Sequence, residues 1–368
     1  MSSSIAMSTR ESDLGSEQDW REAFVGVLLG TAVGDALGLP AENLSPERIR
    51  RRWRGEWRMR LVFGRGMISD DTEHTLLVAQ ALFSHPDDAA AFQRALGWKL
   101  RWWFAGLPGG VGLATAKACL RLWIGFSASK AAVASAGSGP AMRSAIIGAY
   151  FAEDADRRRQ FVSASSRLTH RGWQAETAAM AVSECVALAV RTQDQPEVQQ
   201  VLSLFRGLSG EQQWQTVLSR METSLAAQMT VPEFVRTLGL DKGVTGYSLH
   251  VVPVAIYAWL RHPRDFRTAM ISALECGGDT DTVGAILGAM SGGTVGKQGM
   301  PNEWLASVCE WPHSVTFMER VASRLAEQKD AQNSLGPVRY FWPGLIPRNL
   351  IFLAVVLAHG FRRLAPPY

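Results

Sequence analysis

Cysteine is scarce in this chain. Its four copies, Cys119, Cys185, Cys276 and Cys309, are scattered without any CxxC spacing, which excludes a zinc ribbon and a disulfide framework and suits a reducing, cytoplasmic setting. Alternating runs of β-branched residues are equally rare, so a sheet-based fold is not expected. Neither sign of charge is in large excess. The formal net charge is +4, too mild to indicate a nucleic-acid partner by itself. The first nineteen residues are rich in Ser, Glu and Asp and lack an apolar centre, so they read as a loose tail and not as a signal peptide. Near the other end, the apolar run Ile351–Ala358 is too short to span a bilayer and is flanked closely by Arg348, His359, Arg362 and Arg363. A membrane is therefore not an expected partner; docking of this extension on the core or on a second subunit is.

What is present is helix-forming. Ala and Leu abound, apolar residues recur at i, i+3 and i+4, and an all-α, single compact multi-helix domain is the expected fold. It is expected over residues 20–330, after the tail at 1–19 and before an apolar and basic extension at 331–368. Helix one should run from about Asp19 to Leu37.

The organising stretch is Cys276-Gly277-Gly278-Asp279-Thr280-Asp281-Thr282-Val283-Gly284. Val283, Ile286, Leu287 and Met290 follow with helical spacing, so Asp279 and Asp281 sit at the mouth of a helix behind a glycine turn. Ser69-Asp70-Asp71-Thr72 repeats the pattern far upstream, before the apolar residues Leu76, Leu77 and Leu82. Two acid-hydroxyl clusters at two helix starts suggest one composite site.

Glycine spacing supports that reading. Gly26, Gly30, Gly34 and Gly38 recur every fourth residue, as do Gly284, Gly288 and Gly292. Each glycine costs a helix about 1 kcal/mol against alanine, so such rows indicate helices packed backbone to backbone. That packing would carry Asp35 and Glu42 toward both clusters. Converging carboxylates need a counter-charge, since two unit charges ~4 Å apart repel by about 4 kcal/mol at an effective dielectric near 20. Oxygen donors without His or Cys select Mg²⁺, Mn²⁺ or Ca²⁺.

Six segments, Gly26–Glu42, Ser69–Thr72, Gly137–Arg143, Leu168–His170, Thr245–Leu260 and Gly277–Thr282, resemble in the same order the ADP-ribosylglycohydrolase family. That family includes the dinitrogenase reductase-activating glycohydrolases and the ADP-ribosyl-acceptor hydrolases. The resemblance implies an all-α fold with a central cleft holding a binuclear Mg²⁺ or Mn²⁺ centre. It implies hydrolysis of the N- or O-glycosidic bond of an ADP-ribosylated protein or small molecule, releasing ADP-ribose. By the same resemblance Glu42, Ser69, Asp70, Asp71, Asp279, Asp281 and Thr282 are metal ligands, with Asp281 bridging, Glu42 activating water and Asp35 supporting them from behind. Gly137, Ser138, Gly139, His170 and Tyr247 are expected to bind substrate. Ser138 stands where the family usually has Asn. The loop Pro108–Gly112 lacks the Asp often found in glycohydrolases of ADP-ribosyl-arginine, which argues against an arginine-linked substrate.

Other readings of these residues stay open. Tyr247 could pack in the core, Ser138 could cap a helix, and His74 could be a core or surface histidine. The segment Arg48–Arg60, interleaved with Trp53 and Trp57, could bind nucleic acid or a diphosphate, or could be a solvated face with buried indoles. A catalytically silent ADP-ribose binder and a hydrolase of another nucleotide are the alternative functions.

Overall fold

The computed structural model describes residues 5–192, 197–331 and 334–363, with side chains of 5–19 and 330 left aside. Of the tail expected at 1–19, residues 1–4 lie outside the described residues, as do the last five of the C-terminal extension.

The chain folds as helices in succession. Helix α1 is Ile5–Gly38, so it is traced from upstream of the Asp19 start read from the sequence. The short α2 (Pro46–Trp53) precedes α3 (Asp70–Ser84), α4 (Ala89–Ala105) and α5 (Leu113–Trp123). Then come α6 (Gly139–Met142), α7 (Ala145–Tyr150), α8 (Ala155–Ser166) and α9 (Trp173–Thr192). A peripheral trio follows: α10 (Val198–Arg206), α11 (Gln212–Ala226) and α12 (Val231–Thr237). The remainder is α13 (Ser248–Arg261), α14 (Phe266–Leu274), α15 (Thr280–Val295), α16 (Asn302–Leu305), α17 (Val315–Asp330) and α18 (Leu345–Arg362). Among the described residues extended pairing is limited to isolated bridges.

The axis of the fold is the antiparallel pair α1 and α15. Helix α15 is buried all round from Thr280 to Thr294, the condition in which a helix needs no polar face. Its glycines meet those of α1 in strict register. A Cβ added at Gly26 would lie 2.2 Å from the Gly292 carbonyl oxygen, one at Gly30 2.0 Å from that of Gly288, and one at Gly34 1.9 Å from that of Gly284. No side chain fits there, because real Cβ atoms do not approach an oxygen so closely. The backbone-to-backbone packing expected from the glycine rows is thus the central contact, and its direction has a consequence. The C-terminal end of α1, with Asp35, Gly38 and then Glu42, lies against the N-terminal end of α15. Thr280 closes that end by donating from Oγ1 to the Gly38 carbonyl at 2.8 Å.

Around this axis α9, α13, α14 and α17 complete one continuous apolar core. Trp53 and Trp57 are buried in it while Arg48, Arg50, Arg51, Arg54 and Arg58 stay in solvent. This is the arrangement of a solvated basic face over buried indoles. At the chain's end, α18 lies on a smaller cluster of Leu39, Leu61, Met67 and Phe352. The apolar run read as Ile351–Ala358 therefore belongs to a longer element. The stretch Trp342–Arg362, 21 residues with an 18-residue window of mean hydropathy 1.6, is long and apolar enough to cross a membrane by length and composition. So is Trp20–Ala41, but its apolar 18-residue window is wholly buried in the core.

Candidate functional site

The helix start at Ser69 is built by a residue from α1. Asp35, fully buried, accepts from the Ser69 amide at 2.9 and 3.1 Å and from the Thr72 amide at 3.2 Å, and takes the Thr72 hydroxyl at 2.5 Å. Its carboxylate caps α3 from outside, satisfying amides that a helix start leaves open. Burial raises the Asp35 pKa to about 6 against the lowering effect of those donors. Both oxygens are committed to α3, so Asp35 supports the cluster from behind. Ser69 caps the same helix, its Oγ accepting from the Asp71 amide at 3.3 Å and donating to Asp71 Oδ2 at 3.1 Å.

The second cluster is set by its two glycines. Gly277 and Gly278 have φ of +68° and +83°, a conformation that favours glycine. They thread between two chain segments: the Gly278 amide donates to Leu44 at 2.9 Å, the Asn43 amide to Gly278 at 2.7 Å, and the Val244 amide to Gly277 at 3.0 Å. A Cβ on Gly278 would stand 1.9 Å from the Val244 oxygen. This clasp fixes Asp279 and Asp281 at the mouth of α15 and holds the Glu42 loop beside them.

The result is a cavity of about 640 Å³ lined by Glu42, Asp70, Asp71, Asp279, Asp281 and Thr282. Residues from the end of α1 and the starts of α3 and α15 thus share one space. Thr282 Oγ1 donates to Asp71 Oδ2 at 3.3 Å, joining the two clusters directly. The electrostatics are those of like charges held together. Burial, followed by repulsion from the neighbouring carboxylates, holds Asp70, Asp71 and Asp281 well above the usual carboxylate range. Burial and then Asp279 raise Glu42, with Arg363 opposing. Burial also raises Asp279, against hydrogen bonds from Asp281 and Thr282.

Whether these residues suit a cation can be judged from their atoms. Asp71 Oδ1 and Asp281 Oδ1 are buried without a hydrogen-bond partner, an unfavourable state for a carboxylate oxygen unless something else meets it. The donors are hard oxygens, the set that Mg²⁺ and Mn²⁺ prefer. Yet among the described residues no three His, Cys, Asp or Glu side chains close around a common metal position. The acid-lined cleft is there; a finished binuclear centre is not, and Ser69 is turned to Asp71 and does not line the cavity.

The opposite wall holds Gly137, Ser138, Gly139 and His170. A Cβ on Gly137 would lie 3.3 Å from His170 Nε2, and one on Gly139 2.9 Å from His170 Cε1. These glycines therefore make room for the imidazole. They offer little to an anion, because α6 is only four residues long, the Ser138 amide is spent on the Gly246 carbonyl at 3.1 Å, and the Ser138 hydroxyl caps nothing. His170 is neutral: burial, then the nearby Arg143 charge, lowers its pKa to about 3. Its Nδ1 meets Thr169 Oγ1 at 2.8 Å, and that hydroxyl accepts from the buried Arg143 at 2.7 Å. Arg143 also reaches His74 Nδ1 at 3.3 Å, and His74 lies edge-on to Trp103 in the core. The reading of His74 as a core histidine is the one that fits.

Tyr247 is a correction. It does not line the cavity; its hydroxyl bonds Gln213 at 3.3 Å and its ring meets His250 edge-on at 4.9 Å. Its backbone is bridged to Gly137 just before α13, and its ring packs against the core, held by those partners. Sequence reasoning also missed Asn43, Lys242 and Thr245, which line the space. Asn43 adopts φ +61° and donates from Nδ2 to Glu42 Oε1 at 3.0 Å. An Asn directly after a candidate acid, a residue type that tolerates left-handed backbone, was the available signal. Thr245 opens the Thr245–Leu260 segment that resembles the family, and nothing local marks Lys242.

A helical fold around an acid-lined cleft at two helix mouths defines a class, and comparison with known proteins places the chain in it. Residues 16–334 match the model of the ADP-ribosylglycohydrolase family, and the chain belongs to that family. It is 30% identical to an uncharacterized protein of Archaeoglobus fulgidus, over 83% of this chain and 96% of the relative. It is 27% identical to the ADP-ribosylarginine hydrolase Tri1 of Pseudomonas putida, over 84% of this chain and 80% of that protein. To the human ADP-ribosylhydrolase ARH3 it is 29% identical over 47% of this chain, spanning about half (54%) of that relative. A solved structure described as an ADP-ribosylglycohydrolase-related protein complex shares the fold, with a TM-score of 0.59 at 24% identity, over 85% of this chain and 99% of that one.

Proposed function

We propose that this protein is a divalent-metal-dependent hydrolase that cleaves the glycosidic bond between ADP-ribose and an acceptor and releases ADP-ribose intact. The observation that carries the reading is the meeting of five carboxylates from three helix ends in one cavity, with two buried oxygens unpartnered. Glu42, Asp70, Asp71, Asp279, Asp281 and Thr282 would hold the Mg²⁺ or Mn²⁺ ions, with Ser69 fixing Asp71. Bound there, such ions supply Lewis acidity to water and to ribose hydroxyls.

The chain's own residues do the rest. Glu42 stands half-buried at the rim with Asn43 on one oxygen and serves as the base that takes a proton from the attacking water. The carboxylates at the mouths of α3 and α15 favour positive charge developing at the anomeric carbon. His170, fixed through Nδ1, orients the sugar from the opposite wall, and Lys242 at the rim offers a cation to the diphosphate. The loop that carries Gly110 and Gly112 faces Asp70 without an acid of its own, so arginine-linked conjugates are proposed to be poorer substrates than oxygen-linked ones.

The test is incubation of purified protein with Mg²⁺ or Mn²⁺ and a panel of ADP-ribosylated substrates of defined linkage. Intact ADP-ribose as product supports the proposal. AMP would assign the chain to phosphoester chemistry, and tight ADP-ribose binding without turnover to a silent binder.

A further inference from the structure

Helix α18 is held to the protein by buried polar residues and by Leu345 and Phe352, and shows a second set of apolar residues to solvent. Arg348, buried, pairs with Glu310 at 2.6 Å and approaches Glu73 of α3 at 3.4 Å. Asn349 donates to the Gly106 carbonyl at 2.8 Å. Past the helix, Arg363 donates to the carbonyls of Glu42 and Pro40 at 2.8 and 3.0 Å. On the outer side Leu350, Ile351, Leu353, Leu357 and Phe361 are 42 to 69% exposed, at spacings that form one stripe along the helix.

Both flanks of the stripe continue it. At its start Trp342 meets Trp102 edge-on at 5.5 Å, and Trp102 in turn meets Trp98 and Trp123, all partly exposed. Val62, which opens the turn Val62–Arg65, packs with Val355 and Val356 on the Leu39, Leu61, Met67 and Phe352 cluster, and the turn lifts Phe63 fully into solvent. At the far end of the stripe Arg362 lines a cleft with Arg48, Arg50, Arg51 and Arg54. Among the described residues none of those four arginines of the α2 segment has an ion-pair partner, and α18 itself contains no acidic residue.

We propose that this face docks on an anionic lipid bilayer, with α18 lying in the plane of the headgroups. Apolar residues and indoles suit the interfacial layer, and arginines at the rim suit anionic headgroups. A spanning orientation would break the buried bonds of Arg348 and Asn349, so the helix lies on the membrane. A second copy is the poorer occupant, because a self-complementary contact would bring a face rich in guanidinium groups and without acids on α18 against its own image. This surface is independent of the hydrolase reading.

The experiment is co-sedimentation of the full chain with phosphatidylcholine vesicles, with and without phosphatidylglycerol, at low and high salt. Binding to the anionic vesicles at low salt is expected, weaker by about tenfold or more on neutral vesicles. The pair Ile351→Asp and Leu357→Asp should lose about tenfold or more, and the pair Arg50→Glu and Arg51→Glu should lose the salt-dependent part. All four positions are exposed, and unchanged melting curves and light-scattering mass would show that the variants fold. Absence of binding to anionic vesicles at low salt overturns the proposal, as does binding that neither pair weakens. A dimer that becomes a monomer on Ile351→Asp and Leu357→Asp would assign the face to a second copy and likewise overturn it.

Discussion

The seam between α1 and α15 and the cavity at its end are built from the same two helices and obey opposite rules. Along the seam, backbone touches backbone and no side chain intervenes. One turn further on, the helices stop, side chains with the same charge face each other, and two carboxylate oxygens have no partner. The contrast teaches where stability and chemistry reside. The packed seam and the core around it hold together an arrangement that repulsion alone would push apart. Substitutions in the two regions should therefore differ in sign as well as in size.

The largest effect is expected in the seam. Gly30→Ala or Gly288→Ala improves helix propensity by about 1 kcal/mol, but places a Cβ 2.0 Å from a backbone oxygen of the other helix. The clash wins, with a loss of about 3 kcal/mol or more or failure to fold, read by chemical denaturation. A neutral or stabilised variant would break the comparison outright.

Acid should act oppositely on the two regions. His313, packed beside Phe317 and Tyr340, has its pKa lowered to about 3 by burial and then by Arg348. Its unfolded form takes up a proton below about pH 6.5 while the folded form does not, so its contribution is intact above that pH and is lost as pH falls toward 3. At about pH 5 the loss is about 2 kcal/mol, and His313→Phe should remove that slope from the stability curve.

Asp281 has the reverse sign. Burial and the neighbouring carboxylates hold its pKa up, so its charge penalises the fold above the unfolded carboxylate range, and the penalty fades on acidification. Asp281→Asn should raise the melting temperature of metal-free protein at about pH 7.5 and change it little near pH 4. The same variant should lose about a hundredfold or more in turnover, so stability and activity part company at one residue. A lower melting temperature at neutral pH would place Asp281 among the packed residues. The smallest effect is expected where the regions meet: Thr280→Val removes the bond to Gly38 and should cost about 1 kcal/mol.

Much of this was legible beforehand because it rests on local rules. Four-residue glycine spacing has few uses in a helix other than close approach, and an acid-hydroxyl pattern before an apolar helical stretch marks a helix mouth. Those two signals together specify that Asp35 and Glu42 come to Asp281. The orientation of Tyr247 and the reach of α18 were not legible, for a common reason. Each depends on which way a side chain or a helix turns, and that is set by partners distant in sequence: Gln213 for Tyr247, and Glu73, Gly106 and Glu310 for α18.

The amino-acid order by itself determined the helical class, the two acid-hydroxyl clusters at helix mouths and the close packing of the central pair, because propensity, capping and glycine spacing act within a few residues. Tertiary structure alone decided which carboxylate oxygens stay unpartnered, that Lys242 and Thr245 join the wall, and that an apolar face remains outside. Those outcomes are settled by competition among distant groups for the same hydrogen bonds and the same buried space.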